Sequence, residues 1–546
     1  RIMVSTRIKV HQAMKDRRQV WDTRWQKLSE WFSPHQAHIT NKSEPADNSH
    51  RVKLHDTKSI EAVSVLTQGH MSFITPLNER WFNFTPNARQ AGGDDVDGWF
   101  AECSKLSFKE LQNSNFYVVA QQVYKDRTEK GTGCMFVRKG RKRTLSFEYV
   151  PIATYVFSED EDGNADMLAR EIMLSAPDAV KRFGKEKMGP KVLEACEQFE
   201  NGKGEGKKFT FIHTVEPRLE YDKTKTDKIN MPYSSHYDCV EDQMEIDEGG
   251  FEEFPYVVSR YEKWDDELWG FSPAYNALPN VLSVNWLKKL VKLSGEVAVN
   301  PRLLLLAGEK ANVDLRAGGV TYVSQRSAQA QLPREWGTSS DFRAAEYLIG
   351  QDHDQIDKFF HVNLFRMFSD LDKQMTATEI GAREREKLLM FAPSFVQFAF
   401  DMGGMMTRLF NIIAREGLFP DPPESMVDDE GLAYVETPEV SYQSKVALAI
   451  QQLANDSFDR VMGRVLPIIE VVPNVLDNFD FDTMIRDLAR NEGMNDKWIV
   501  KIEQMKELRD ERAEAQQQQM QMEQAEQATK AMSNVGVTGE QAMEAM

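Results

Sequence analysis

Among 546 residues there are four cysteines, at 103, 134, 196 and 239, and no two form a C-x-x-C pair. That spacing excludes a dense disulfide framework and a cysteine zinc knuckle, and fits free thiols in a reducing compartment. No run of 18 apolar residues and no N-terminal apolar region occurs, so neither a membrane span nor a signal peptide is expected. Positive charge is in short supply: 67 Lys and Arg face 85 Asp and Glu, a formal charge of −18. A broad grip on nucleic acid needs cationic surface, so any contact with it has to be local or loose.

Recognisable catalytic motifs are missing too. "GKGEGKKF" lacks both the spacing and the hydroxyl of a phosphate-binding loop. "GFSPA" lacks the closing glycine that a nucleophile elbow needs, and H-E-x-x-H is absent. His35 and His38 stand three apart without a second ligand pair and read as solvated loop residues rather than a zinc site. Neighbouring carboxylates such as Asp265 and Asp266 read as solvated surface, and the acidic tracts 159–162 and 241–253 as turn-like. "RKGRKR", residues 138–143, is the one dense basic run. A hairpin turn is its first reading; contact with a phosphate or an acidic partner is the second.

What is present suffices for real cores: 41% hydrophobic and 10% aromatic residues, over a length that fits two to four domains. Helical spacing runs through Val10, Met14, Val20, Trp21, Trp25, Leu28, Trp31 and Phe32 until Ser33-Pro34 ends it. A second helix is expected from Asp56 to Phe73, with Ile60, Val63, Leu66 and Met71 inward. A strand or packing corner follows at Trp81, Phe82 and Phe84, then two helices over 94–123. From 131 to 260, runs such as "CMFVRK", "LSFEYV" and "FTFIHTVEPRL" predict short strands, interrupted by a helical insert at about 176–199.

After residue 272 the pattern is mainly helical. Ser272-Pro273 is a helix start. Leu278, Leu282, Trp286, Leu290, Leu293 and Val297 form one stripe; Leu348, Ile356, Phe359, Phe360, Leu364, Met367 and Phe368 form another. These predict two helices of roughly 37 Å each, bracketing a small β-containing excursion at 301–340. Thr376 and Glu379 then make a capping box, and Gly417 and Pro420 supply the stop of one long helix with Pro393 inside it. Pro393 lacks an N–H and crowds the Leu389 carbonyl, at about 3 kcal/mol in a straight helix. Both flanks are apolar, so a bend that continues is expected rather than two helices. Between Gly493 and Gly536 there is neither Gly nor Pro. Trp498, Ile502, Met505 and Leu508 give a seam, followed by "AEAQQQQMQMEQAEQATKAM". That is a helix with too thin an apolar side to stand alone, or a low-complexity tail.

The order of the parts carries a resemblance. "RRQVWDTRWQKLSEWFSP", "HDTKSIEAVSVLTQGHMSFITPLNERWFNF", "GFSPAYNALPNVLSVNWLKKLVKLSGEVAVNP" and "MTATEIGAREREKLL" followed by "REGLFPDPP" occur in that sequence. Together, over about residues 10–500, they resemble the head-to-tail connector, or portal, family of short-tailed bacteriophages; "MTATE" and "SPAYNALPN" are the most specific parts. The extreme N-terminus reads as truncated, because the chain opens on Arg.

The resemblance implies a mainly α fold with a mixed α+β wing and clip, amphipathic stem helices and a long kinked helix, assembled as a ring of twelve copies. The parts would be N-terminal helices and wing at 1–271, first stem helix at 272–300, clip at 301–340 and second stem helix at 341–369. A channel loop at 370–378, the kinked wing helix at 379–417, a wing or crown base at 418–494 and a crown or barrel at 495–546 would follow. Implied partners are further copies of the chain, double-stranded DNA in the channel, the packaging motor (the terminase large subunit), a tail adaptor, and capsid and scaffolding proteins, with no membrane. The place implied is the portal vertex of the virion, after synthesis in the host cytoplasm. No catalytic, cofactor or metal site is expected. Candidates to face DNA are Lys288, Lys289, Lys292, Lys358, Lys373, Gln374 and Met375, with Pro393 as the kink; a solvated helix face or ion pairs between subunits is the other reading of each lysine. Two further readings are an Mg-dependent nucleic-acid-processing enzyme, supported only by the acidic tracts, and a helical scaffold or adaptor that never meets DNA.

Overall fold

The computed structural model describes residues 4–40, 54–87, 93–202, 207–299 without 223, 226 and 265, 302–304, 334–336, 342–366, 389, 392–427, 437–447 without 445, 461–465, 479–491, 500 and 502–543. The chain forms two compact units. One takes in Arg1–Asn83, Cys103–Phe419 and Val440–Ala447; the other takes in Phe84–Glu102, Pro420–Glu439 and Leu448–Met546.

In the first unit, α1 (Val4–Phe32) ends at Ser33-Pro34 as the sequence requires. Its inward face is a continuous stripe, but only half of it is apolar. Trp21, Trp25, Leu28 and Phe32 are buried, and the same face continues N-terminally through Arg18, His11 and Arg7, also buried. Val10 and Val20, expected inward, lie off this stripe and are exposed. The buried cations have partners waiting. Arg7 donates two bonds to the Asp238 carboxylate, at 2.7 and 2.6 Å, and Arg18 donates to the carbonyls of Ile152, Ala153 and Tyr155.

Helix α2 (Lys58–Phe73) buries Val63 and Leu66 as expected, whereas Ile60 faces outward. Strand β1 (Phe82–Thr85) lies where the strand or packing corner was expected; helix α3 (Asp94–Asn113) then leads to α4 (Phe116–Lys130), which stops at Gly131 in a left-handed conformation, φ +87. A Cβ at Gly131 would collide with the backbone of Gly270, so glycine is required both for the turn and for that close approach.

Strands β2 (Thr132–Lys139), β3 (Leu145–Val150) and β9 (Tyr256–Arg260) make one antiparallel sheet in the order β3-β2-β9. The basic run 138–143 is the β2–β3 hairpin, as its first reading had it. A five-stranded antiparallel sheet follows in chain order: β4 (Tyr155–Glu159), β5 (Ala165–Ser175), β6 (Lys208–Pro217), β7 (Tyr233–Cys239) and β8 (Met244–Phe251). The predicted helical insert is two helices, α5 (Ala176–Phe183) and α6 (Pro190–Glu200), because Gly184 turns the chain between them at φ +93. Their Ala176, Ala179, Val192 and Cys196 close one face of the sheet over Phe209, Phe211 and Ile246. On the other face Val156, Ala169 and Ile212 receive Ile8 and Met14 of α1. The tract 241–253, expected to be turn-like, is largely strand β8.

Helix α7 (Pro273–Val299) packs beside α8 (Phe342–Phe359), with Asn280 donating to Asp352 at 2.8 Å. The helix expected over 341–369 is interrupted. It breaks at His361, whose φ is +52, and restarts as the short α9 (Val362–Arg366). The break lets Phe360 pack 5.7 Å from Phe32 and Phe365 pack 5.4 Å from Phe73. A Cβ at Gly69 would collide with the Phe365 ring, so α2 leaves a notch for that side chain. Of the excursion at 301–340, β10 (Arg302–Leu304) and β11 (Arg334–Trp336) pair antiparallel.

Helix α10 (Ala392–Arg415) buries every apolar residue assigned to its inner face: Phe395, Phe398, Met402, Met406, Leu409 and Ile413. It stops at Gly417, φ +66. Leu389 is helical, and Pro393 lies within the helical stretch Ala392–Arg415. Residues 390 and 391 are not described, so the bend itself, the capping box at 376–379 and the loop 370–378 lie outside the described residues.

In the second unit Trp99 donates to the Pro420 carbonyl at 3.0 Å. The Asp482 carboxylate of α11 (Phe481–Asn491) accepts two bonds from Arg509 of α12 (Ile502–Met543), at 2.5 and 2.7 Å. Trp498 lies outside the described residues, and from Ile502 onward the C-terminal seam is helix. Its Leu508, Met520 and Met522 are exposed, as a thin apolar side implies.

Candidate functional site

Helix α7 has two faces that differ in residue size. Its inward face is Ala274, Ala277, Val281, Val284 and Asn285, all buried. Small residues there let α7 lie close against its neighbours. The large stripe assigned from the sequence is rotated outward: Trp286 is 61% exposed, Leu293 48% and Leu290 39%, with Leu278 and Leu282 half-buried. On α8, Tyr347 and Leu348 are exposed too. A groove of about 470 Å³ runs along α7, lined by Trp31, Leu282, Trp286, Leu293 and the stems of Lys289 and Lys292. Large apolar side chains are thus collected on one open face.

The sequence-assigned lysines separate here. Lys288 is not free: its ammonium pairs with Asp56. Burial works against the Asp56 charge, yet Lys288, the Lys58 N–H and His353 together hold its carboxyl below the usual range. Lys292 donates to the His55 carbonyl at 3.2 Å. Lys289 and Lys358 are exposed. Lys373, Gln374 and Met375 lie outside the described residues.

At the start of α10 sits a polar hub that the sequence did not disclose. Arg127 of α4 is fully buried. Its guanidinium donates to the carbonyls of Arg260 (2.9 Å) and Ser394 (2.7 Å), and lies 3.2 Å from His70 Nε2. Tyr261 and Phe398 flank it at 5.3 and 5.8 Å from their ring centres. One cation thus joins α2, α4, β9 and α10, next to Pro393. Guanidinium only donates, so His70 Nε2 must be the unprotonated nitrogen. Burial, then the Arg127 charge, push the His70 pKa well below its usual value. Farther along, burial raises the Asp401 carboxyl while Arg260, bonded to it at 3.0 Å, pulls it down.

Carboxylates of both acidic tracts are engaged by cations. Glu159 is paired with Arg260 and Lys263, and Glu253 with Arg408 and Arg415. Among the described residues one group has metal-like spacing, His236, Glu245 and Glu248. Its carboxylates already carry arginines: Arg7 lies 3.4 Å from Glu245 and Arg218 3.4 Å from Glu248. A cationic side chain on each carboxylate is poor company for a metal ion. His35 and His38 belong to no such group. All four cysteines are free and buried.

The described residues thus form a mainly helical chain with small antiparallel sheets and an apolar helix face left open on α7. The chain belongs to the bacteriophage head to tail connecting protein family, whose profile matches residues 5–500. It is 24% identical over 498 residues to a probable portal protein of Bordetella phage BPP-1, and 25% identical over 503 residues to the portal protein of Salmonella phage epsilon15. Each match covers 90% of this chain and 88% of the relative. Against the virion of a native gene transfer agent particle the TM-score is 0.34 at 11% identity, over 75% of this chain and 85% of that one, a likeness too slight to bear on the fold. The chain is a structural portal subunit of a phage virion.

Proposed function

We propose that copies of this subunit close into a ring of twelve around a duplex-wide channel at one capsid vertex, and that the outward stripe of α7 is what the neighbouring copy covers. The observation that carries this is Trp286, Leu290 and Leu293 standing exposed on one helix face while the opposite face is filled by small residues. Burying each such side chain is worth about 1.5–3 kcal/mol, repeated at every interface of the ring. Lys289 and Lys358, with Lys373, Gln374 and Met375 of the channel loop, are the residues assigned to meet DNA. Lys288 and Lys292 serve α7 itself. A net charge of −18 on each chain keeps passing DNA from sticking, since like charges repel within a screening length of about 8 Å. The wing is the mixed α+β body, α7 and α8 the stem, 301–340 the clip that takes the packaging motor and later the tail adaptor, and 495–546 the crown or barrel facing the capsid interior. The subunit carries out no chemistry; translocation is powered by the motor.

Negative-stain imaging of the purified chain tests the ring: closed particles with a central hole are expected, and a stable solitary monomer overturns it. Deleting 301–340 should leave rings intact and abolish motor-dependent packaging; packaging at the normal rate refutes the clip assignment.

A further inference from the structure

The basic run 138–143 is not absorbed by the channel reading. It forms the tip of the β2–β3 hairpin, closed by Gly140 N–H donating to the Thr144 carbonyl at 3.1 Å. A Cβ at Gly140 would collide with the Arg143 carbonyl, so the turn is tight and holds its side chains on a rigid ribbon. Arg138, Lys139, Arg141, Lys142 and Arg143 are all exposed. Lys139 pairs with Glu416 at the end of α10. The nearby Glu253 is already occupied by Arg408 and Arg415. Among the described residues, nothing neutralises Arg138, Arg141, Lys142 or Arg143. Four uncompensated cations concentrated on one turn of a chain at −18 mark a site for an anion.

The chemistry of the tip selects the anion. Its apolar residues, Val137 and Leu145, point inward and are buried. The exposed tip therefore has no aromatic or aliphatic anchor of the kind that dominates protein–protein interfaces. Three of the four free cations are arginines, whose planar forks match phosphate oxygens, and a two-stranded ribbon is narrow enough to approach a duplex groove. We propose that the 138–143 hairpin is a sequence-independent contact for the phosphate backbone of duplex DNA on the outside of the wing, distinct from the channel.

Closed circular duplex DNA is the probe, because it cannot thread a closed ring and so reports outer surface. The experiment compares the full-length protein with the triple variant Arg141→Glu, Lys142→Glu, Arg143→Glu, after equal melting temperature and equal particle size are confirmed. Should the reversal impair folding, the variant with Gln at the same three positions replaces it. Wild type is expected to bind with a steep salt dependence. The variant should bind at least tenfold more weakly, with a log–log salt slope shallower by about 2–3, the loss of three phosphate contacts at roughly 0.9 each. Equal affinity and equal slope overturn the proposal. So does unchanged circle binding together with failed incorporation into capsids, which would assign the tip to an acidic protein. If imaging shows no rings, the ring reading fails by itself, while the comparison of the two proteins on circles still decides this one.

Discussion

Arg127 illustrates what a single buried cation does here. It has no carboxylate within bonding distance in the described structure; instead it satisfies two backbone carbonyls and fixes the His70 tautomer. Removing a donor leaves buried acceptors unpaired, at about 1–3 kcal/mol for each, and Arg127→Ala adds a cavity. The expected loss is about 3 kcal/mol or more, read as a fall in urea midpoint. Arg127→Lys should recover only part of it, because one ammonium cannot span both carbonyls. A midpoint within error of wild type for Arg127→Ala would show that the hub is dispensable. The histidines give a second residue-scale expectation. His70 and His213 are held neutral chiefly by burial, their pKa values well below the usual 6.5. An unfolded histidine takes up a proton near about pH 6.5, whereas the folded one does not. Their contribution is thus intact above that pH and is lost as pH falls toward the folded values. The melting temperature should be flat from about pH 7 to 8 and decline below about pH 6. Replacing both with Gln should flatten that decline even as it lowers the plateau, and an unaltered pH slope would remove these two residues from the account.

Element by element, the sequence disclosed period and ends well, and faces less well. The inner face of α10, the β2–β3 hairpin, the Pro34 stop and the C-terminal helix follow from local rules that tertiary packing did not contradict. The inward stripe of α1 was only half visible, since Arg7, His11 and Arg18 look like surface residues until Asp238 and the 152–155 carbonyls are known. The break at His361 carries no glycine or proline to announce it; its cause is two phenylalanines reaching different partners, and the one local hint is Gly69 on another helix. On α7 the largest residues were read as the stripe, and they are, but they face away from the subunit. Size alone cannot tell a core from an interface, because both reward apolar burial. This fixes what substitutions on α7 should do. Trp286→Ala with Leu293→Ser, on exposed positions, should leave the melting temperature of the isolated chain within about 1–2 °C while shifting mass photometry from rings to single subunits. If rings persist at unchanged concentration dependence, the stripe is not the closing surface.

For the whole molecule, the question is which surface closes the assembly. The first unit holds the α7 stripe; the second holds α12, whose Leu508, Met520 and Met522 are also exposed. Either could in principle drive association, and the two differ in strength. The α7 stripe presents a tryptophan and two leucines beside a shaped groove, whereas the described surface of α12 from 504 to 527 is mostly Gln, Glu and Ala with scattered methionine. A helix of that composition gains little from a single neighbour and depends on being held parallel to others by something else. Ending the chain after Lys501 should therefore leave rings of the same copy number, visible down the symmetry axis. The truncated protein should also keep the melting transition of the first unit, because α12 belongs to the second. Collapse of the truncated chain to monomers would place the closing surface on α12 and make the α7 stripe secondary.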